Sequence, residues 1–240
     1  MKLPILLYHR VIDSPQKDSL CIAPKVFEKQ MSFLFKRGFQ TIFFEELLEL
    51  IKTKQSLSKK IILTFDDGYK DNYLFAFPIL KKFNFKATIF LVPSFIGKTN
   101  LWDQEKTQAK LLNLDQILEM KEFGFSFGAH SLTHQNLTEL PKENAFREIN
   151  QSKIELEKLL GEKISSFCYP YGKVNETVKE QVKKVGFECA LASDSGPINI
   201  EEDLFEIRRI QVFPHTNLFG FWKKTSIWYN RYKILKKKFF

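Results

Sequence analysis

Short apolar runs alternate with stretches of helical spacing along most of this 240-residue chain. Runs at 3–8, 60–65, 87–92, 125–128, 166–169, 187–191 and 208–212 read as strands. Most are β-branched or aromatic in character and end at turn signals. Between them, 24–37, 45–54, 114–123, 141–160 and 174–185 place apolar residues on one helical face. Pro24 opens one of these helices, and Gly38, Gly124, Gly161 and Gly186 stand just past helix ends, where the backbone must leave helical geometry. A further helix holds Tyr73, Phe77 and Leu80, with a bend expected at Pro78. Strands joined through helices pair in parallel. A single α/β domain is therefore expected, either a barrel or an open sheet. No internal repeat or Gly/Ser linker interrupts it. With 44% hydrophobic residues the chain can bury a core of its own and is too apolar for a disordered segment.

In such folds the C-terminal strand ends face one way, and sites are built there. Three polar clusters follow strands: Asp66-Asp67, His130 with His134, and Tyr169-Pro170-Tyr171-Gly172. Adjacent buried carboxylates repel unless one meets a cation and the other a positive neighbour or a proton. Alone, Asp-Asp-Gly is equally a turn. His130 and His134 can face one point from a helical turn or a compact loop; alone, they could be two surface histidines. A carboxylate with two imidazoles leaves positions open for water, the donor pattern of a catalytic metal. All four histidines, His9, His130, His134 and His215, stand at or just past a strand end. Histidines without a common task would scatter over surface helices.

The formal charge is +9, and residues 221–240 hold seven basic residues, seven aromatics and no acid. The rest of the chain is thus close to neutral. Two parts are expected: a domain over 1–216 and a basic aromatic segment over 217–240. Interleaved basic and aromatic residues, Trp222 and Trp228 among them, suit a membrane interface. The alternatives are a terminal helix packed on the body and, ranked last for want of a recognition motif, a nucleic-acid contact. No apolar run reaches the roughly 18 residues of a membrane span. The N-terminal run, broken by Pro4 and stopped by His9-Arg10, is a poor secretory signal. Cys21, Cys168 and Cys189 form an odd set without a C-x-x-C pair, which suggests reduced thiols. A cytoplasmic protein, peripheral at the inner membrane face, is the expectation. Asp103 and Asp194 read as loop residues.

Thr64-Phe65-Asp66-Asp67-Gly68 and Gly128-Ala129-His130-Ser131-Leu132-Thr133-His134 resemble the first two motifs of the polysaccharide deacetylase family, the NodB-homology domain of carbohydrate esterase family four. Leu6-Leu7-Tyr8-His9 is similar to the N-terminal Y-H motif of one branch. Glu148-Ile149, Ser152-Lys153, Leu156-Glu157, Leu160-Gly161 and 167–172 follow the family pattern, as does 207–210. The resemblance implies a distorted (β/α)7-type barrel. It implies a divalent metal, foremost Zn2+ with Co2+, Ni2+ or Fe2+ as alternatives, held by Asp67, His130 and His134, and Asp66 as general base. The implied substrate is an N-acetylated amino sugar of a glycan or a lipid-linked glycan precursor, as in lipopolysaccharide or capsule assembly, with acetate released. Amide hydrolysis fits these parts: it needs an activated water, a polarised carbonyl and a protonated leaving amine. The same machinery would serve an O-acetyl esterase, a deformylase or another amidase. A non-catalytic glycan-binding or membrane-associated protein is less expected, since it has no need of the full set Asp66, Asp67, His130 and His134.

Two departures from the family pattern stand out. The third motif usually carries an Arg before its aromatic-Pro-aromatic turn; here that stretch is Phe167-Cys168-Tyr169-Pro170-Tyr171-Gly172. Arg209, on the last strand, is the expected replacement, and Cys168 reads as a small buried residue rather than a nucleophile. The late L-x-H motif that supplies an acid elsewhere is also missing. His9 is the expected general acid, with His215 as its rival. Tyr171 is expected to offer a backbone N–H to the oxyanion, and Tyr171 and Trp102 are candidates for stacking on a sugar.

Overall fold

The computed structural model describes residues 3–13, 19–102, 108–193 and 203–226. Asp103, Asp194 and the basic segment after residue 226 lie outside the described residues.

The strands are β1 (Ile5–Tyr8), β2 (Arg10–Val11), β3 (Cys21–Ile22), β4 (Gln40–Thr41), β5 (Lys60–Phe65), β6 (Thr88–Leu91), β7 (Ser126–Ala129), β8 (Ser166–Cys168), β9 (Cys189–Leu191) and β10 (Ile210–Gln211). The helices are α1 (Pro24–Lys36), α2 (Phe44–Lys52), α3 (Phe77–Lys82), α4 (Leu114–Glu122), α5 (Lys142–Leu160), α6 (Glu176–Val185) and α7 (Leu218–Thr225). Seven strands form the wall in the order β10-β1-β5-β6-β7-β8-β9, and β4 pairs with the start of β5. Every pairing along this path is parallel. The sheet curls into a half-barrel, and a lone parallel bridge between Leu191 and Ile207 links its two edges. The sequence pattern anticipated this architecture. The two-residue pairs β2–β3 and β4–β5 were not anticipated, because runs this short carry no periodicity.

Alternation along each strand sorts its side chains. In β5, Ile61, Leu63 and Phe65 join the large cluster under the helices, with Phe27, Met31 and Leu34 of α1 and Ile149 and Leu156 of α5. Ile62 joins a second cluster inside the curl, with Ile5, Phe90, Cys168, Cys189, Leu191 and Ile207, plugged at one end by Phe44 and Leu47 of α2. Thr64 and Asp66 continue the inward parity of Ile62. His9 shares the parity of Ile5, His130 that of Gly128, and Arg209 that of Ile207. Gly128 has to be glycine: a Cβ there would drive into the Phe90 ring and the Ser166 hydroxyl.

The bend expected at Pro78 becomes a change of winding. A π-helical turn over Asn72–Ala76 runs into α3, which places Pro78 in the first turn of α3, where its missing N–H costs nothing. The α7 helix packs on α1 through fully buried Phe221, whose ring meets Phe33 edge-on at 6.0 Å.

The segment leading to β10 is tied to α6 by Lys179. Its ammonium meets Glu176 at 3.0 Å and both Asp203 and Glu206 at 2.8 Å, with the lysine side chain 6% exposed. Those charged hydrogen bonds more than offset burial and hold the amine above its ordinary range. Lys179→Met is expected to lower stability by about 1.5–3 kcal/mol, or about 3–12 °C in Tm for a chain of this size. Thermal unfolding followed by circular dichroism checks this; an unchanged Tm contradicts it.

Candidate active site

The inward residues at the C-terminal strand ends meet in one place. Asp66 is 2% exposed and Arg209 fully buried. The guanidinium grips the carboxylate with two parallel bonds, Nη1 to Oδ1 at 2.7 Å and Nη2 to Oδ2 at 2.6 Å. Arg209 also donates to the Thr64 hydroxyl at 3.1 Å and, through Nε, to the Ala192 carbonyl at 3.2 Å. Thr64 in turn donates to the Leu6 carbonyl at 2.7 Å. Burial pushes the Asp66 carboxyl up, but the charge and hydrogen bonds of Arg209 outweigh it, so the net shift is downward. Asp66 is thus kept ionised. Cys168 fills the space beside this pair, its sulfur 3.1 Å from Arg209 Nη2 and 3.4 Å from Asp66 Oδ2. Burial pushes its thiol up, so it is not an activated nucleophile.

Asp67 has its own partners. Its Oδ1 lies 3.3 Å from His130 Nε2 and 3.1 Å from His134 Nε2. All three residues are buried, and their donor atoms lie within 4.8 Å of one another. Burial pushes the Asp67 carboxyl up; the two imidazoles reverse that and hold it well below the usual range. The Nδ1 of His130 lies 2.7 Å from the Cys168 carbonyl. A carbonyl only accepts, so Nδ1 carries a proton, which leaves Nε2 as the ring nitrogen turned toward Asp67. Asp67 Oδ1 itself finds no well-aligned hydrogen bond. A buried carboxylate oxygen, left unsatisfied opposite two imidazole nitrogens, is the donor set a zinc-like divalent ion requires.

The backbone around these residues is unusual. Asp67, Ser131 and His134 have φ of 71°, 59° and 62°, a left-handed conformation costly for residues with a Cβ and concentrated at functional sites. The two histidines therefore reach one point from a compact loop, not a helical turn. Ser131 Oγ accepts from the His134 N–H at 2.9 Å. Glu148 of α5 accepts from the Thr133 N–H at 2.8 Å and its hydroxyl at 2.7 Å. Sequence reasoning noticed Glu148 only as part of a helix pattern. An acid on the apolar face of α5 beside Ile149 and Ser152 was the available signal for a buried hydrogen-bonding role.

His9 directly follows β1, whose Tyr8 carbonyl accepts from the Asp66 N–H at 3.1 Å. Burial pushes its imidazole down, opposed by the charges of Asp66 and Asp67, with a net downward shift. His9 thus lies in the field of both carboxylates. His215 is exposed, and its ring stacks on Phe213 at 5.5 Å. Trp102 stacks on His134 at 4.5 Å, and the Tyr171 ring meets the same imidazole edge-on at 4.7 Å. Tyr171 is 54% exposed and has φ 57°. These two aromatics flank the His134 ring and form part of the site wall. Arg10, next to His9, binds buried Asp71 at 2.7 Å, and Asp71 also accepts from the Val11 N–H at 3.2 Å. This pins β2, just past His9, to the turn after Gly68, a link absent from the sequence reading.

Comparison with known proteins agrees with this geometry. The family model described as polysaccharide deacetylase matches residues 53–190. The chain is 31% identical over 214 residues to the YxkH protein of Bacillus subtilis (strain 168), covering 89% of this chain and 72% of that one. It is 27% identical over 203 residues to the poly-beta-1,6-N-acetyl-D-glucosamine N-deacetylase of Staphylococcus epidermidis, covering 80% of this chain and 68% of that one. Among solved structures, the Streptococcus pyogenes deacetylase PplD in complex with acetate superposes with a TM-score of 0.84 at 26% identity, covering 94% of this chain and 99% of that one.

Proposed function

The chain belongs to the polysaccharide deacetylase family, hydrolases of carbon–nitrogen bonds other than peptide bonds, and from that membership we propose that it removes N-acetyl groups from an amino sugar. The substrate is an N-acetylated glycan or a lipid-linked glycan precursor, and Asp67, His130 and His134 hold a divalent ion, foremost Zn2+. One observation carries this reading: two adjacent buried acids face different partners, Asp66 an arginine and Asp67 two imidazoles. Bound there, the ion supplies a Lewis acid and lowers the pKa of water toward about 7.

The chain's own residues do the rest. Asp66, kept ionised by Arg209, accepts a proton from the attacking water. His9, on the same rim, gives a proton to the leaving amine as the carbon–nitrogen bond breaks. Its downward shift makes its protonated form a stronger acid than free histidine. Products are the free amine and acetate, and acetate is the ligand in the PplD structure. Trp102 and Tyr171 offer rings to a sugar face, and the Tyr171 N–H is the candidate oxyanion donor.

The test is acetate release from a panel of N-acetylhexosamine oligomers, free and lipid-linked, by the metal-loaded enzyme. Release from none of them would overturn the proposal. On an active substrate, His9→Gln is expected to lower kcat about a hundredfold, while His215→Gln leaves it unchanged. The reverse pattern would make His215 the acid.

A further inference from the structure

The α7 helix presents two unlike faces. Phe221 and Thr225 are buried on the body, while Leu218, Phe219 and Trp222 are 45%, 61% and 40% exposed. The Phe219 and Trp222 rings stack on each other at 5.5 Å. The ammonium of Lys223 lies 4.5 Å over the Phe219 ring. Three large apolar side chains thus stand in water within five residues of one short helix, with positive charge against them. Packing does not explain this, because the helix already uses its other face to pack. The sequence continues with Arg231, Lys233, Lys236, Lys237 and Lys238 and no acid up to residue 240.

We propose that the Leu218–Phe219–Trp222 face of α7 docks this enzyme on an anionic phospholipid surface. Charge decides the choice of occupant. Exposed aromatics flanked by cations match the boundary of a bilayer, where rings enter the headgroup region and ammonium groups meet phosphates. Two copies joined through this face would instead bring their lysines together. No helix of the described residues is long and apolar enough to cross a membrane, so the contact is with the surface only. The α7 helix follows β10, whose C-terminal end lies on the side of the sheet where Asp66 and His130 stand. Docking through α7 therefore keeps the enzyme at the membrane surface. This deepens the reading of a lipid-linked or surface-borne glycan substrate, but the docking itself does not depend on deacetylation.

The test is co-sedimentation of the full chain with vesicles of phosphatidylcholine alone or with phosphatidylglycerol added. Point variants are preferable to truncation, because removing 217–240 would also uncover the α1 surface under Phe221. The wild type is expected to pellet with the phosphatidylglycerol vesicles, and less so at high salt. Phe219→Ser with Trp222→Ser is expected to lower the partition coefficient at least about tenfold. Both residues are exposed, so the double variant should keep the wild-type Tm and release acetate from a soluble oligomer at the wild-type rate. Equal pelleting by the double variant overturns the proposal and assigns lipid binding to the segment after residue 226. A wild-type dimer that ignores vesicles and dissociates in the double variant also overturns it, making the face a self-association surface. An enzyme that docks but releases no acetate keeps this proposal and defeats the deacetylase reading.

Discussion

Asp66→Asn is expected to retain bound metal while acetate release falls by about a hundred- to ten-thousandfold, the range for loss of a general base. His134→Ala is expected to lose both the metal and the activity. The contrast follows from the division between the two acids. Asp66 is taken up by Arg209 and has no imidazole nitrogen among its hydrogen-bond partners, whereas Asp67 Oδ1 lies 3.1 Å from His134 Nε2. An asparagine at 66 can still accept one guanidinium bond but no longer a proton from water. Elemental analysis of the purified variants, together with the acetate assay, separates the two roles. Metal lost from Asp66→Asn, or retained in full by His134→Ala, would reverse the assignment.

Arg209→Met is expected to damage both stability and turnover. Removing one member of a buried ion pair strands the other, at a cost of about 3–5 kcal/mol, or about 6–20 °C in Tm. In the wild type the Asp66 carboxyl is lowered, so its contribution to stability is present above the unfolded pKa of about 3.9 and fades as pH falls through the folded value. Without the guanidinium, burial acts alone and pushes the carboxyl up. The acidic limb of the activity profile should therefore move to higher pH, a result that simple unfolding would not give. Asp66→Asn combined with Arg209→Met should recover much of the lost Tm, because no buried charge remains, yet stay inactive. If Arg209→Met keeps wild-type turnover and pH profile, Arg209 has no part in positioning Asp66.

The parts of this molecule legible in the sequence were those that repeat. Strand runs such as 60–65 are apolar along their middle and stop abruptly at Asp66-Asp67-Gly68, so the element and the placing of the two acids at its end could be read together. The pairing of His130 with His134 was legible as spacing, but not its loop: nothing in Ser131 or His134 announces a left-handed backbone. That conformation is imposed from outside, by Glu148 on the Thr133 hydroxyl and N–H. Trp102 was read as a surface for sugar; its stacking on His134 depends on how 93–102 folds over the rim, which no local pattern encodes. The stretch 217–240 was read as one basic segment. Its first turns are a helix with one face spent on α1, because Phe221 finds Phe33 there.

Asp66 and Arg209 are separated by 143 residues, and Arg209 sits where the two edges of the curled sheet come together, bonded to Ala192 beyond β9. During synthesis the carboxylate emerges long before its counter-charge exists. Until then its burial is unfavourable, and the end of β5 stays hydrated. Contacts this distant in sequence form late. Closing the wall and completing the site are therefore a single event in folding, and a chain cut short before β10 can neither seal its barrel nor bury Asp66.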